Sequence, residues 1–181
     1  MGSVTSTIVP VVAATGLGAS LLTDVVIAAL VAGIVSLVTV SMEHERARRD
    51  RLREQYADAF RAYASYREFP YVVRRRTDDG CAERVRISEA FRDVQERLTF
   101  WQAWMGLESA HVAREYRKLI DETRDIAGNA IRRAWELPPV TQDNEMNIAD
   151  YAEYLKQLIS LENAYVDAAH KRLSGWLPKR G

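Results

Sequence analysis

Charged side chains are nearly absent from the first 42 residues of this sequence. Asp24 is the only one there, and all 25 lysines and arginines follow Met42. A cleaved secretory signal begins with a basic stretch, which this N-terminus lacks. Cysteine is also scarce: Cys81 is the only one, which excludes an internal disulfide and fits a reducing compartment.

Net charge is absent as well, because 25 basic residues balance 25 acidic ones. Binding to the phosphate backbone of a nucleic acid requires a net basic surface, so we expect no nucleic-acid partner. The chain has three histidines, and it lacks a glycine-rich loop after a strand and a nucleophile elbow. We therefore predict that it is not an enzyme and that it holds no cofactor.

A metal centre is the strongest catalytic alternative. Glu108 and His111, like Asp167 and His170, lie one helical turn apart, and paired Glu-x-x-His motifs are typical of di-iron four-helix bundles. The match is incomplete, because the second pair has Asp and Glu108 lies at the start of a predicted helix. The seams of the first two helices also supply no inward-facing glutamate. These four side chains are therefore interpreted as surface groups, and no metal ligand is predicted.

An apolar segment without any charge runs from Val25 to Met42. Its 18 residues would be about 27 Å long as a helix, close to the ~30 Å hydrocarbon core of a bilayer. Extending it to residue 19 places Asp24 near the outer interface. The sequence thus predicts an extracytoplasmic leader at residues 1–18, a transmembrane helix at residues 19–42 and a cytoplasmic part at residues 43–181.

The orientation follows from basic residues crowded just after the apolar segment. The positive-inside rule places such a cluster in the cytoplasm, so we expect a single-pass protein of the cell membrane with its N-terminus outside. The same arginines are predicted to contact lipid headgroups. They are Arg46, Arg48, Arg49, Arg51 and Arg53.

Small residues share one face of the predicted membrane helix. Ala29 and Gly33 have the small-xxx-small spacing that lets two membrane helices approach closely, and Ser36 lies on the same face. The competing interpretation is that alanine and glycine are common in any membrane helix. A homo-oligomer formed through this strip is therefore one of the predicted assemblies.

The part after Met42 has the periodicity of helices that pack on one another. Apolar residues at a 4-3-4-3-4 spacing from Ile87 to Met105 form a coiled-coil-like seam, and three similar stripes occur before and after it. Breaks fall at Pro70, at Gly106 and at Pro138–Pro139, and Ser109 is placed to cap the third helix. We predict an all-α fold in which the transmembrane helix continues into a cytoplasmic antiparallel bundle of about four helices.

Three stretches also carry a family resemblance: YREFPYVVRRR, LTFWQAWMGLESAHVAREY and RRAWELPPVTQDNEMN. Over roughly residues 40–150 the chain resembles small single-pass membrane proteins of actinobacterial type that have a cytoplasmic helical domain. The resemblance implies the same architecture. It implies no activity, because none is assigned to that group.

Two clusters in the turns are candidates for a partner surface. Arg74, Arg75 and Arg76 form a basic triplet, for which the alternative is a turn that pairs with Asp78, Asp79 or helix-end carbonyls. Pro138 and Pro139 stiffen a polar loop that either contacts a partner or simply joins two helices.

These features predict a bitopic membrane protein with a non-catalytic cytoplasmic helical module that binds or scaffolds an unidentified protein partner. The main alternative is a membrane-active effector whose oligomerised membrane helices perforate or depolarise the bilayer. A metal-dependent helical-bundle enzyme ranks below both.

Overall fold

The computed structural model describes the backbone of residues 16–175 and the side chains of residues 32–175. Over that range the fold is all-α, as predicted. The helices are α1 (Gly16–Arg74), α2 (Cys81–Glu108), α3 (Ala110–Glu136), α4 (Tyr151–Leu155) and α5 (Ile159–Ser174). A 3-10 turn at Lys156–Leu158 joins α4 to α5, and another occupies Asp143–Glu145 in the preceding loop.

A membrane span is not found among the described residues: none of their helices is both long enough and apolar enough to cross a bilayer. The predicted transmembrane helix at residues 19–42 is therefore not confirmed. The side chains of residues 19–31, and with them Ala29, lie outside the described residues. In the described remainder, Ile34, Leu37 and Val38 are exposed.

Two units divide the chain, at residues 1–48 and residues 49–181. The buried hydrophobic residues of the described range begin at Leu52 and end at Ala169. The second unit therefore contains that whole core, and we expect residues 43–181 to fold without the apolar segment.

Aromatic contacts set the direction of α2 against α1 within the second unit. The ring centroids of Tyr56 and Trp104 lie 5.8 Å apart, and those of Phe69 and Phe91 lie 4.7 Å apart. Residue numbers rise along α1 as they fall along α2, so the two helices are antiparallel.

Tyrosine hydroxyls set the direction of α4 and α5. The Tyr165 hydroxyl donates to the Tyr56 carbonyl at 2.8 Å, and the Tyr151 hydroxyl donates to the Arg67 carbonyl at 2.5 Å. The α4–α5 segment thus runs antiparallel to α1 as well.

α3 runs in the same direction as α1. The Tyr116 hydroxyl donates to the Ala59 carbonyl at 2.9 Å, and Arg76 donates to the Ala134 carbonyl at 2.8 Å. With these contacts the second unit is the predicted up-down-up-down bundle of four helical segments.

The predicted seams form the core. Ile87, Val94, Leu98 and Met105 of α2 are buried, while Phe91 and Trp101 pack against the core with part of their surface exposed. The other predicted stripes contribute buried residues from the helical segments, together with Ile148 from the loop before α4: Leu52, Tyr56, Ala59, Tyr63, Val112, Tyr116, Leu119, Thr123, Ala130, Ile148, Tyr151, Leu158, Tyr165, Ala168 and Ala169.

Two predicted helix ends are wrong. α1 continues past Pro70 to Arg74, because Phe69 and Val73, one turn apart, are both buried and hold the last turn in place. α2 continues past Gly106 to Glu108 although a helical glycine costs about 1 kcal/mol. The predicted cap of α3 is confirmed, since the Ser109 side chain accepts a hydrogen bond from the Val112 amide.

Candidate functional site

The basic triplet after Pro70 lies largely inside the bundle. Arg76 is 2% exposed, and its guanidinium donates to the carbonyls of Val73, Ala134 and Leu137. It also donates to the Trp135 carbonyl at 3.3 Å, and its guanidinium carbon lies 4.8 Å from the centre of that indole ring. Arg76 thus caps the carbonyl ends of α1 and α3 together.

Arg74 and Arg76 also form hydrogen bonds with the loop that contains Pro138 and Pro139. The Arg74 guanidinium donates to the Pro138 carbonyl at 2.9 Å, and the Val140 amide donates to the Arg76 carbonyl at 3.0 Å. Asp79 accepts from the Arg76 side chain at 2.6 Å.

The residues of the predicted partner surface are thus divided between buried and exposed positions. Arg76 directs its guanidinium to helix-end carbonyls and Asp79, and Arg74 donates to the Pro138 carbonyl. Arg75, Pro138 and, in part, Pro139 remain exposed.

The arginines after the apolar segment are at the surface. Arg46, Arg48, Arg51 and Arg53 are exposed, and Arg49 is partly buried. Arg53 pairs with Asp50 at 3.3 Å.

The strip of small residues predicted for helix association is exposed at the positions whose side chains are described. Gly33 and Ser36 are exposed, and a β-carbon added at Gly33 would meet nothing within 4 Å. Ala29 lies outside the described side chains.

The two carboxylate–histidine pairs are not brought together. Glu108 forms an ion pair with Arg172 at 2.7 Å, and the His111 Nδ1 lies 2.8 Å from the Arg114 guanidinium. Asp167 and His170 are exposed. Within residues 32–175, no cluster of three or more metal-ligating side chains occurs.

An apolar groove that the sequence did not indicate lies between α1 and α5. Its volume is about 480 Å³. Two small residues, Ala57 and Ala169, line it beside the larger Phe60 and Val166. The full apolar lining is Tyr56, Ala57, Phe60, Tyr165, Val166, Ala169 and Leu173.

The ionisable groups at the edge of this groove are basic residues. Arg53, Arg61 and His170 border it, and no carboxylate is among its lining residues in the described part of the chain. Arg53 and Arg61 each pair with an aspartate on α1 and keep most of their side-chain surface exposed. The groove is therefore apolar along its floor with a basic rim.

Beside Tyr165, Tyr56 is the second buried tyrosine that lines the groove. Its side chain is 4% exposed, and its hydroxyl has no hydrogen-bond partner among the described residues. Burial, reinforced by the negative charge of Glu108, raises the pKa of Tyr56 to about 12. The hydroxyl is consequently a neutral donor at physiological pH.

A polar network lies next to one end of the groove, about one turn beyond its lining residues on α1 and on α5. The Tyr63 hydroxyl and the Arg67 guanidinium both donate to the Glu162 carboxylate, at 2.5 and 2.8 Å. Burial, together with the hydrogen bond to Glu162, raises the pKa of Tyr63 well above its usual value. This network fixes α5 against α1 and keeps the groove preformed.

A second, more polar cleft of about 540 Å³ lies between α3 and α4. Asp125, Arg132, Arg133 and Glu136 line it, and the Arg133 guanidinium carbon lies 5.6 Å from the centre of the Tyr154 ring. Its charges of both signs give it no preference for an anion or a cation.

Sequence reasoning missed the groove because no single motif marks it. The available signal was alanine at positions 57 and 169, beside the large residues of two predicted seams. The pairing of α1 with α5, which the sequence did not specify, is what makes those positions one surface.

Comparisons with protein family models, with curated proteins and with solved structures find no match to this chain. The function is therefore argued from the geometry of the chain itself.

Proposed function

We propose that the protein is a single-pass membrane protein whose cytoplasmic helical unit binds an amphipathic, acidic helix of a protein partner. The observation that carries the binding role is the preformed apolar groove between α1 and α5, with its basic rim. Laying an apolar helix face into such a groove is a common mode of peptide recognition.

The groove has the length that this mode requires. Its lining extends from Arg53 to Arg61 on α1 and from Tyr165 to Leu173 on α5, which is about 12 Å at the rise of an α-helix. Apolar residues at positions i, i+4 and i+7 of a partner helix span about 10 Å. The groove therefore suits about two turns of such a helix.

Charge favours an acidic partner. Aspartate or glutamate beside the apolar stripe would meet Arg53, Arg61 and His170 at the rim, where solvent-exposed pairs contribute specificity and association rate more than affinity.

The membrane location is supported by the sequence. Val25 to Met42 carries no charge, and the arginines that follow it on the C-terminal side give the charge asymmetry of a cytoplasmic flank. The role proposed for this segment is to hold the binding unit, and whatever it captures, at the inner membrane surface.

A peptide-library selection on residues 43–181 tests the binding role. We expect enrichment of helical peptides with apolar residues at i, i+4 and i+7 flanked by acids. Val166→Asp should abolish binding of the selected peptides, because it puts a negative charge in the groove wall. Val85→Asp on α2 is the matched control, since Val85 is 49% exposed and Val166 is 51% exposed.

The proposal fails if no such peptides are enriched. It also fails if the selected peptides bind the Val166→Asp variant as tightly as the unaltered unit. Equal losses in the Val166 and Val85 variants would indicate a general effect of added charge rather than a groove.

A further inference from the structure

The last turns of α2 contain a run without charge in a unit that is otherwise rich in charge. Residues 99–107 read TFWQAWMGL. Phe100 is 59% exposed and Leu107 is 90% exposed, one heptad apart on the same face. Trp101 and Trp104 are partly buried beside them. The exposed face of this run, formed by Phe100, Ala103, Gly106 and Leu107, has no covering element within the described part of the unit.

The face lies at the end of the bundle where α1 enters it. Trp104 contacts Tyr56, and Leu52 is the first buried residue among the described side chains of α1. Only nine residues, 43–51, separate Leu52 from the end of the apolar segment at Met42. If that segment lies in a membrane, only these nine residues of chain connect the membrane to this end of the unit.

The composition of the face matches a bilayer interface. Tryptophan and other aromatic side chains are enriched where hydrocarbon meets water, because their rings are apolar and their N–H groups remain hydrated. Charged residues flank the run: Glu96 and Arg97 lie shortly before it, and Glu108, directly after it, pairs with Arg172. The run itself is uncharged, so its contact with lipid would depend on apolar side chains.

A second copy of the chain fits the face less well. Two exposed side chains offer at most a few hundred Å², whereas a stable protein interface buries roughly 1,200 Å² or more. A bilayer has no such requirement, since it accepts single inserted side chains.

We propose that the uncharged face of α2 docks on the lipid–water interface of a bilayer, with Phe100 and Leu107 inserted between the lipids. This inference rests on the proposed membrane location for its setting. Because the inserted groups are apolar, insertion should occur with zwitterionic lipid alone, whereas binding that requires anionic lipid would instead reflect the arginines of residues 46–53.

Flotation of residues 43–181 with phosphatidylcholine vesicles tests this docking. We expect the protein to float with the vesicles and its tryptophan fluorescence to be quenched by brominated lipid. Leu107→Glu should lower the bound fraction about tenfold or more, because a large apolar side chain no longer leaves water. Val85→Glu, near the other end of α2, should bind like the unaltered protein.

Four outcomes would overturn the inference. The first is that the unaltered unit does not float, and the second is that Leu107→Glu and a second variant, Phe100→Glu, both float as well as the unaltered unit. The third is binding only to anionic vesicles. The fourth is a dimer in sedimentation that Leu107→Glu converts to a monomer. The last outcome would assign the face to a second copy. Circular dichroism of each variant checks that it is folded.

The result is independent of the proposed anchor. The protein tested lacks residues 1–42, so a failure of docking leaves the anchor untouched. A failure of the anchor in cells would likewise leave vesicle binding by this face in place.

Discussion

Arg76 shows how one side chain can join the ends of two helices. The last carbonyls of a helix have no partner within it, and a guanidinium with five donors can serve several of them at once. Arg76 does this for α1 and α3 and lies against the Trp135 ring. Its charge is stabilised by those carbonyls and by Asp79.

Removing this guanidinium should destabilise the unit strongly. Arg76→Met leaves buried carbonyls of α1 and α3 without a donor, and we expect a loss of about 2–4 kcal/mol in the free energy of unfolding. Urea unfolding of residues 43–181 measures it. Arg75→Met is the matched control at an exposed neighbour, expected to change stability by less than ~0.5 kcal/mol. Similar effects of the two substitutions would disprove the capping role.

The buried tyrosines predict how stability depends on alkaline pH. Burial raises the pKa of Tyr56 to about 12 and raises the pKa values of Tyr63, Tyr116, Tyr151 and Tyr165 further. Above pH 10, tyrosines of the unfolded chain lose protons that the folded chain keeps, so the folded state loses stability.

We therefore expect the free energy of unfolding to be unaffected by these tyrosines below pH 10. Between pH 10 and about 12 each tyrosine should lower it by about 1.4 kcal/mol per pH unit. Urea titrations at a series of pH values measure this slope, and Tyr165→Phe should make it shallower. A flat profile up to pH 12 would show that the hydroxyls are not protected by the fold.

At the scale of helices, the heptad spacing was enough to place the core. The seam from Ile87 to Met105 and the cap at Ser109 were predicted because periodicity and capping are local properties. Pro70 misled the prediction, since proline disfavours a helix locally whereas the burial of Phe69 and Val73 is a tertiary effect. The burial of Arg76 and the α1–α5 groove depend on which helices are neighbours, and no local pattern specifies that.

The strip at Gly33 gives a prediction for helix association. Gly33→Ile should weaken self-association in a membrane-helix reporter, because a branched side chain would separate two closely packed backbones. The described surroundings of Gly33 have room for a β-carbon, so the change should not disturb the helix itself. Val35→Ile, off the strip and still apolar, is the control.

An unchanged signal for Gly33→Ile would mean that the strip is not an interface. Growth arrest and depolarisation on overexpression, lost when another membrane helix replaces residues 19–42, would instead favour the membrane-active effector.

At the scale of the whole molecule, orientation can be measured with Cys81. This cysteine is exposed and unpaired. If the helical unit is cytoplasmic, a thiol reagent that cannot cross the membrane should fail to label Cys81 in intact cells and should label it after lysis. Labelling of intact cells would reverse the proposed orientation.

Membrane anchoring by residues 19–42 is the central claim, and alkaline carbonate extraction of cell membranes tests it most directly. The full chain should stay in the membrane pellet, because carbonate strips proteins held by surface contacts but leaves a spanning helix in place. Residues 43–181, expressed alone, should be released even if the α2 face touches lipid. Release of the full chain into the supernatant would contradict the anchor.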